Sequence, residues 1–221
     1  MADILIIGAS GGVGAALSRH FEGLGDRVTK LSRSHDGFDM TDPKNVEDHL
    51  ARLSGPFDRI VVATGALSID GVEPEKTIKA IDAKAMADQF AINAIGPALV
   101  LSQAARLLPR KSASVFAVLS ARVGSIGDNR LGGWVSYRAS KAALNQIVHT
   151  SAIELARSHP AACVVALHPG TVATPFTSKY VARHATVPAD EAAANLVGVM
   201  SNLTPAQSGG FFDYKGDRIA W

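Results

Sequence analysis

The chain has 221 residues, 47% of them hydrophobic and 19% charged, with 22 Lys and Arg against 20 Asp and Glu for a formal net charge of +2. That composition can fill one large domain or two small ones, and it excludes a disordered chain. The near balance of charge, with no run of Lys or Arg, argues against a nucleic-acid surface or a polybasic membrane segment, and no apolar stretch is long enough to span a bilayer.

The first predicted strand is Ile4–Ile7, and the acid at Asp3 together with the short apolar stretch does not read as a secretory leader. The strand runs straight into Gly8-Ala9-Ser10-Gly11-Gly12-Val13-Gly14, followed by a helical pattern over 13–24. Glycines there permit a tight turn and a close backbone approach to a pyrophosphate, and the helix start adds N–H groups and a positive dipole end. The spacing on Gly8, Gly12 and Gly14 is G-x-x-x-G-x-G, with Leu17 standing where the last glycine of G-x-G-x-x-G would be. The other reading is a glycine-rich turn without a ligand.

The second strand, Arg27–Leu31, ends in Ser32-Arg33-Ser34 with no acid at the turn itself. Arg33 can stack on adenine and pair with a 2′-phosphate, Ser10 and Ser32 can add hydroxyl donors, and Asp36 or Asp39 can reach an adenosine. This pattern favours NADP(H) over NAD(H). Further on, a helical pattern at 44–53, a strand at Arg59–Ala63 and a long helical pattern over 84–107 follow. In that last segment Pro97 has no N–H to bond the Asn93 carbonyl, which leaves it free to hold a water or simply marks a kink.

The fourth strand, Ser114–Leu119, leads through Ser120 and the loop 121–134 into a helix over 136–157 carrying Tyr137 and Lys141. Four residues apart on a helix, the phenol and the ammonium share one face, and a cation beside a phenol favours phenolate. A Tyr so placed can pass a proton, and Ser120 can hydrogen-bond the oxygen that receives it. Y-x-x-x-K alone is weak, since a packed Tyr beside a solvated Lys gives the same spacing. The strand Ala162–Leu167 contains Cys163, the single cysteine, which excludes an intramolecular disulfide framework and reads as a buried small hydrophobe. Then come the loop 168–188 with HPGTVATPF, a helix over 189–202 and a strand at Gly210–Phe212. Continuously apolar strands alternating with helices predict a doubly wound parallel α/β sheet with helices on both faces, in one domain over 1–221. The seven histidines show no ligand spacing, and no metal site is expected.

Taken in order, Gly8-x-x-x-Gly12-x-Gly14, Asn93, Ser120, Tyr137-x-x-x-Lys141 and Pro169-Gly170-Thr171-Val172-x-Thr174 resemble the short-chain dehydrogenase/reductase family over essentially the whole chain. YRASKAALN, LHPGTV and GFFDYKGDRIAW look most like C-factor-type and carbonyl-reductase-like members. The resemblance implies a Rossmann fold and an NADP(H)-dependent oxidoreductase acting on a small carbonyl or alcohol. Tyr137 would be the acid/base, Lys141 would lower its pKa and bind the nicotinamide ribose, Ser120 would hold the substrate oxygen, and Asn93 would anchor a relay water. The implied cofactor site comprises Gly8, Ser10, Gly12, Val13, Gly14, Ser32, Arg33, Asp39, Met40, Ala63, Thr64, Gly65, Asn93, Tyr137, Lys141, Pro169, Gly170, Val172 and Thr174. Thr64 departs from the family, which often has N-A-G where this chain has Ala63-Thr64-Gly65. Loop position suggests an apolar pocket of Val123, Ile126, Trp134, Phe176 and Tyr180. A cytoplasmic homo-oligomer, dimer or tetramer, with no nucleic-acid or membrane partner is expected. The C-factor likeness also leaves open a dinucleotide-binding signalling protein with little turnover.

Overall fold

The computed structural model describes residues 1–174 and 186–221. Six strands form one parallel sheet: β1 (Asp3–Ile7), β2 (Arg27–Leu31), β3 (Arg59–Val62), β4 (Ser114–Leu119), β5 (Ala162–His168) and β6 (Phe211–Asp213). Their order is β2-β1-β3-β4-β5-β6, so the direction of winding reverses at β1. Open α/β sheets bind ligands in the crevice that this reversal leaves beyond the strand C-termini. The register pairs Ile7 with Leu31 on one side and with Val62 on the other, so the ends of β1, β2 and β3 converge on that crevice.

The strand sequences explain the layering. Every residue of β4 is buried, as is β5 up to its last residue, His168. β2 lies at the sheet edge and is charged at Arg27 and Lys30, which suits an edge that must not pair further. Alternate residues supply two apolar layers. Leu5, Ile7, Ile60, Val62, Phe116 and Val118 join Val100, Leu144 and Val148 on one face. Ile4, Ile6, Val61 and Ala117 join Leu17, Phe21, Leu196 and Met200 on the other. Each fully buried Leu, Ile or Val contributes about 1.5–3 kcal/mol.

Helices α1 (Gly12–Gly23) and α8 (Ala189–Asn202) cover the second layer, while α3 (Pro43–Ala51) and α7 (Val135–Leu155) cover the first. Between β2 and α3 lies α2 (Arg33–Asp36), a four-residue helix that the apolar pattern does not reveal. The long helical pattern at 84–107 is divided. It runs as α4 (Ala83–Phe90), a π-helical turn over Ala91–Ile95, α5 (Gly96–Leu101) and α6 (Ala104–Leu107). The interruption falls where Pro97 withholds a backbone donor, and such turns often mark functional sites. At the C-terminus Ile219 is buried, Trp221 stacks on Phe211 at 6.0 Å between ring centroids, and its carbonyl accepts from Gly127 N–H at 2.7 Å. The apolar tail therefore packs on its own chain. Among the described residues no helix is long and apolar enough to cross a membrane.

Candidate active site

The glycine turn is fastened to the sheet before α1 begins. Gly8 and Ala9 N–H both bond the Leu31 carbonyl, at 2.8 and 3.1 Å, and Gly8 has φ 86°, a conformation glycine adopts without strain. A Cβ at Gly14 would lie 2.2 Å from the Gly8 carbonyl oxygen, so the first turn of α1 sits directly on the loop. The N-cap residue Gly11 has no side chain to cap that helix start, and Gly11, Gly12 and Val13 line the crevice, where a helix start offers N–H groups. Leu17 fills the position of the absent third glycine and is fully buried in the core.

Three cavities adjoin along the strand C-termini. The first, of about 340 Å³, is bounded by Gly8, Ser10, Ser32, Arg33, Asp39, Met40, Ala63, Thr64 and Gly65. Phe38 and Ile92 also line it, two apolar walls not singled out from the sequence. The second, of about 200 Å³, brings Gly12, Val13, Thr64, Gly65, Ser120, Tyr137, Lys141, Pro169, Gly170, Val172 and Thr174 together. A third, of about 510 Å³, opens outward from Tyr137 past Val123 and Trp134. Ile126 is 77% exposed and does not line it, while Phe176 and Tyr180 lie outside the described residues.

A nicotinamide dinucleotide suits this arrangement on the structure's own terms. The glycine-rich helix start suits a pyrophosphate, and Thr64 Oγ1, at the junction of the first two cavities, is buried with no hydrogen-bond partner. Arg33 is exposed at the far end and makes no ion pair among the described residues. Ser32, which lines the first cavity, also has local partners. Its hydroxyl caps α2 by accepting from His35 N–H at 3.3 Å and donates to Asp36 Oδ2 at 3.0 Å, and its N–H bonds the same oxygen at 2.8 Å. The short helix thus folds an acid back against the strand end. Hydrogen bonds from the Thr41 hydroxyl and N–H hold Asp39 below the usual carboxylate range.

The second cavity has a buried polar wall. Ser120, Tyr137, Lys141 and Asn93 are each at most 5% exposed. Tyr137, Lys141, Leu144, Asn145 and Val148 follow the helical period and form the inward face of α7. The start of α7 is fixed from far away in sequence: Glu75 accepts from Ser136 N–H at 2.6 Å and Ser136 Oγ at 2.5 Å. Trp134, just before it, adopts the left-handed region at φ 53° and meets the Tyr137 ring edge-on at 6.2 Å.

Ser120 Oγ donates to Asn145 Oδ1 at 2.7 Å, and Lys141 Nζ donates to the Leu119 carbonyl at 3.0 Å. Asn93 sits in the π turn, where its side chain accepts from Ala66 N–H at 2.9 Å and donates to Gln89 Oε1 at 2.6 Å. A Cβ on Gly65 would stand 3.2 Å from Asn93 Oδ1 and 3.3 Å from Lys141 Nζ, so both groups flank that glycine. Burial opposes charge on the pair, pushing Tyr137 up and Lys141 down to about 8. The expected lowering of the phenol by its lysine therefore meets a stronger opposing effect, because the pair shares a dry wall.

Two polar residues that the sequence reading passes over belong to this wall. Asn145 orients Ser120; it stands four residues past Lys141 on the same helix face, and that spacing is the signal that points to it. His168 lines both the second and third cavities, with Nδ1 buried and unpartnered, and burial pushes its pKa down to about 4.

Comparison with known proteins agrees with this architecture. The family model for short chain dehydrogenases matches residues 37–185. A Rhodococcus 1-hydroxy-2-glutathionyl-2-methyl-3-butene dehydrogenase is 32% identical over the full length of both chains. The Myxococcus xanthus C-signal is 37% identical over 64% of this chain and 81% of its own. A Burkholderia multivorans protein assigned to the short-chain dehydrogenases/reductases, solved with bound NADP, superposes with a TM-score of 0.80 at 28% identity, covering 99% of this chain and 98% of that one. The chain belongs to the short-chain dehydrogenase family.

Proposed function

We propose that the protein is an NADP(H)-dependent oxidoreductase that interconverts a carbonyl compound and its alcohol at Tyr137. The observation that carries this reading is the placing of Tyr137 and His168 between the second and third cavities, with Ser120 and Lys141 on the same buried wall. The first cavity would hold the adenosine end of the dinucleotide, the glycine turn its pyrophosphate, and Lys141 with Pro169 to Thr174 its nicotinamide half. The bound dinucleotide supplies or accepts the hydride.

In the reductive direction Tyr137 donates its phenolic proton to the carbonyl oxygen. Burial suits that role, because it keeps the phenol protonated at neutral pH. Ser120 Oγ, held by Asn145, hydrogen-bonds the same oxygen. A protonated Lys141 lowers the cost of the phenolate left behind. The Asn93 side chain ties the π turn to Ala66, and its backbone carbonyl, without a donor from Pro97, is the acceptor for a relay water. The dehydrogenase named for a hydroxy compound supports carbonyl–alcohol interconversion. Arg33, which makes no ion pair among the described residues, supports NADP(H) over NAD(H).

The reading is tested by following NADPH consumption against a panel of aldehydes and ketones while measuring NADPH binding in parallel. Tyr137→Phe should lower turnover by about 10²–10⁴-fold and leave NADPH affinity within a few-fold. Full turnover in that variant would sink the mechanism. The likeness to C-signal favours a second reading, a dinucleotide-binding signalling protein; tight NADPH binding with no turnover on any substrate would select it.

A further inference from the structure

The third cavity combines an apolar floor with a cationic rim. Leu67, Val123 and Trp134 line it beside Tyr137, as do the exposed Leu131 and three guanidinium groups, Arg122, Arg130 and Arg138. Asp128 is the lining carboxylate among the described residues, and Arg122 Nε already holds it at 2.7 Å. Neither Arg130 nor Arg138 has a carboxylate within ion-pair distance among the described residues. The chain as a whole carries a net charge of only +2, so two unpaired cations on one small rim are a local concentration.

Arg138 is the sharper of the two. It is the residue after Tyr137 on α7 and is half-buried. Its Nε donates to the Gly133 carbonyl at 2.9 Å and its Nη1 to the Val123 carbonyl at 3.3 Å, leaving Nη2 without a partner among the described residues. Burial pushes its pKa down, yet a guanidinium keeps its charge at any physiological pH. A half-buried cation facing only carbonyls is incompletely compensated, and an anion from outside would complete it.

We propose that this rim is an anion subsite and that the substrate is a carbonyl or alcohol compound bearing a carboxylate on an apolar arm. The proposal rests on the reductase reading for the carbonyl end alone. The arm would lie along Trp134 and Val123, with the reacting oxygen at Tyr137 and the carboxylate between Arg130 and Arg138. Holding Arg122 through Asp128 sets the strength of the subsite.

The probes are 4-formylbenzoate and its uncharged methyl ester, measured on the full chain by calorimetry and, with NADPH, by kcat/KM. The acid should be preferred by about tenfold at low salt, as expected for a charge-assisted contact, and less as ionic strength rises. Arg130→Ala and Arg138→Ala should each cut the preference by about threefold or more. Asp128→Asn should raise it, because it releases Arg122, and a mere folding defect does not produce a gain. A binding preference near unity, or one that none of the three substitutions moves, would overturn the proposal. If the preference behaves as stated while neither probe is reduced, the subsite stands and the reductase reading falls; equal reduction of both with equal binding does the reverse.

Discussion

Two corners of one crevice are built by opposite means. At the end where we place proton transfer, Ser120, Tyr137, Lys141 and Asn93 are buried, and each sits on a strand end or on a helix whose start or interior is tied by long-range hydrogen bonds. At the end where we place the adenosine, Ser10, Arg33 and Ser34 are exposed, and Arg33 and Ser34 ride on a four-residue helix held by its own Ser32 and Asp36. The contrast separates two physical problems. Positioning a proton donor needs rigidity, and rigidity here comes with the cost of burying polar groups. Choosing between two dinucleotides needs only an exposed charge, which changes affinity and leaves the fold alone. Substitutions at the first corner should therefore move stability and pH dependence, whereas those at the second should move affinity only.

The largest effect on stability is expected at Lys141. Its pKa falls from 10.5 to about 8 on burial, so between those values the unfolded chain binds more protons than the folded one. Stability must then rise with pH through that window and be lowest below about pH 8. The shift corresponds to about 3 kcal/mol of destabilisation at pH 7, offset in part by the bond to Leu119. Lys141→Met removes the titrating group. In denaturant unfolding at pH 7 and pH 10 the variant's advantage over the parent should shrink by about 2–3 kcal/mol at the higher pH. Parallel pH profiles for the two proteins would show that burial is not what sets this corner apart.

Gly14 lies between the two corners and should give an intermediate effect. Because a Cβ there would press on the Gly8 carbonyl, Gly14→Ala must shift either the turn or α1. A loss of about 1–3 kcal/mol is expected, accompanied by weaker dinucleotide binding since the same N–H groups move. Thermal unfolding and NADPH titration check both, and an unchanged Tm would mean that the contact relaxes at no cost.

The same division explains what could be read from the chain. The six strands, the glycine turn and the Tyr137–Lys141 pair were legible because each is a local pattern: an apolar run, a run of glycines, one helical turn. The parallel, doubly wound sheet followed from the alternation of strands with helices, while the order of strands around β1 came from the structure. What the sequence concealed depends on residues far apart, as when Glu75 caps the helix of Tyr137 from 61 positions away and Asn145 meets Ser120 across 25. The π turn was half legible, since Pro97 announces a missing donor but not how the backbone accommodates it. Ser32 lines the first cavity, but the sequence did not show that its hydroxyl also serves α2, accepting from His35 N–H at 3.3 Å and donating to Asp36 Oδ2 at 3.0 Å.

The smallest effect on the fold, and the sharpest test of the contrast, belongs to Arg33. It is exposed and without an ion pair among the described residues, so Arg33→Ala should change stability by no more than about 0.5 kcal/mol. Its cofactor effect should be selective. A guanidinium on a 2′-phosphate is a charge-assisted contact, weakened here by solvent, and its loss should weaken NADPH binding by about tenfold. NADH, which has no phosphate at that position, should lose far less, so the NADPH-to-NADH affinity ratio is the quantity to follow. Asp36 gives the comparison a second handle, because its Oδ2 already accepts from Ser32 N–H and Oγ. If Arg33→Ala weakened both dinucleotides equally, the side chain would be acting on the shared adenosine by stacking, and the selection of NADPH would have to lie elsewhere in the first cavity. If it lowered Tm by several degrees, the adenosine corner would be a structural element like its buried counterpart, and the distinction between the two corners would fail.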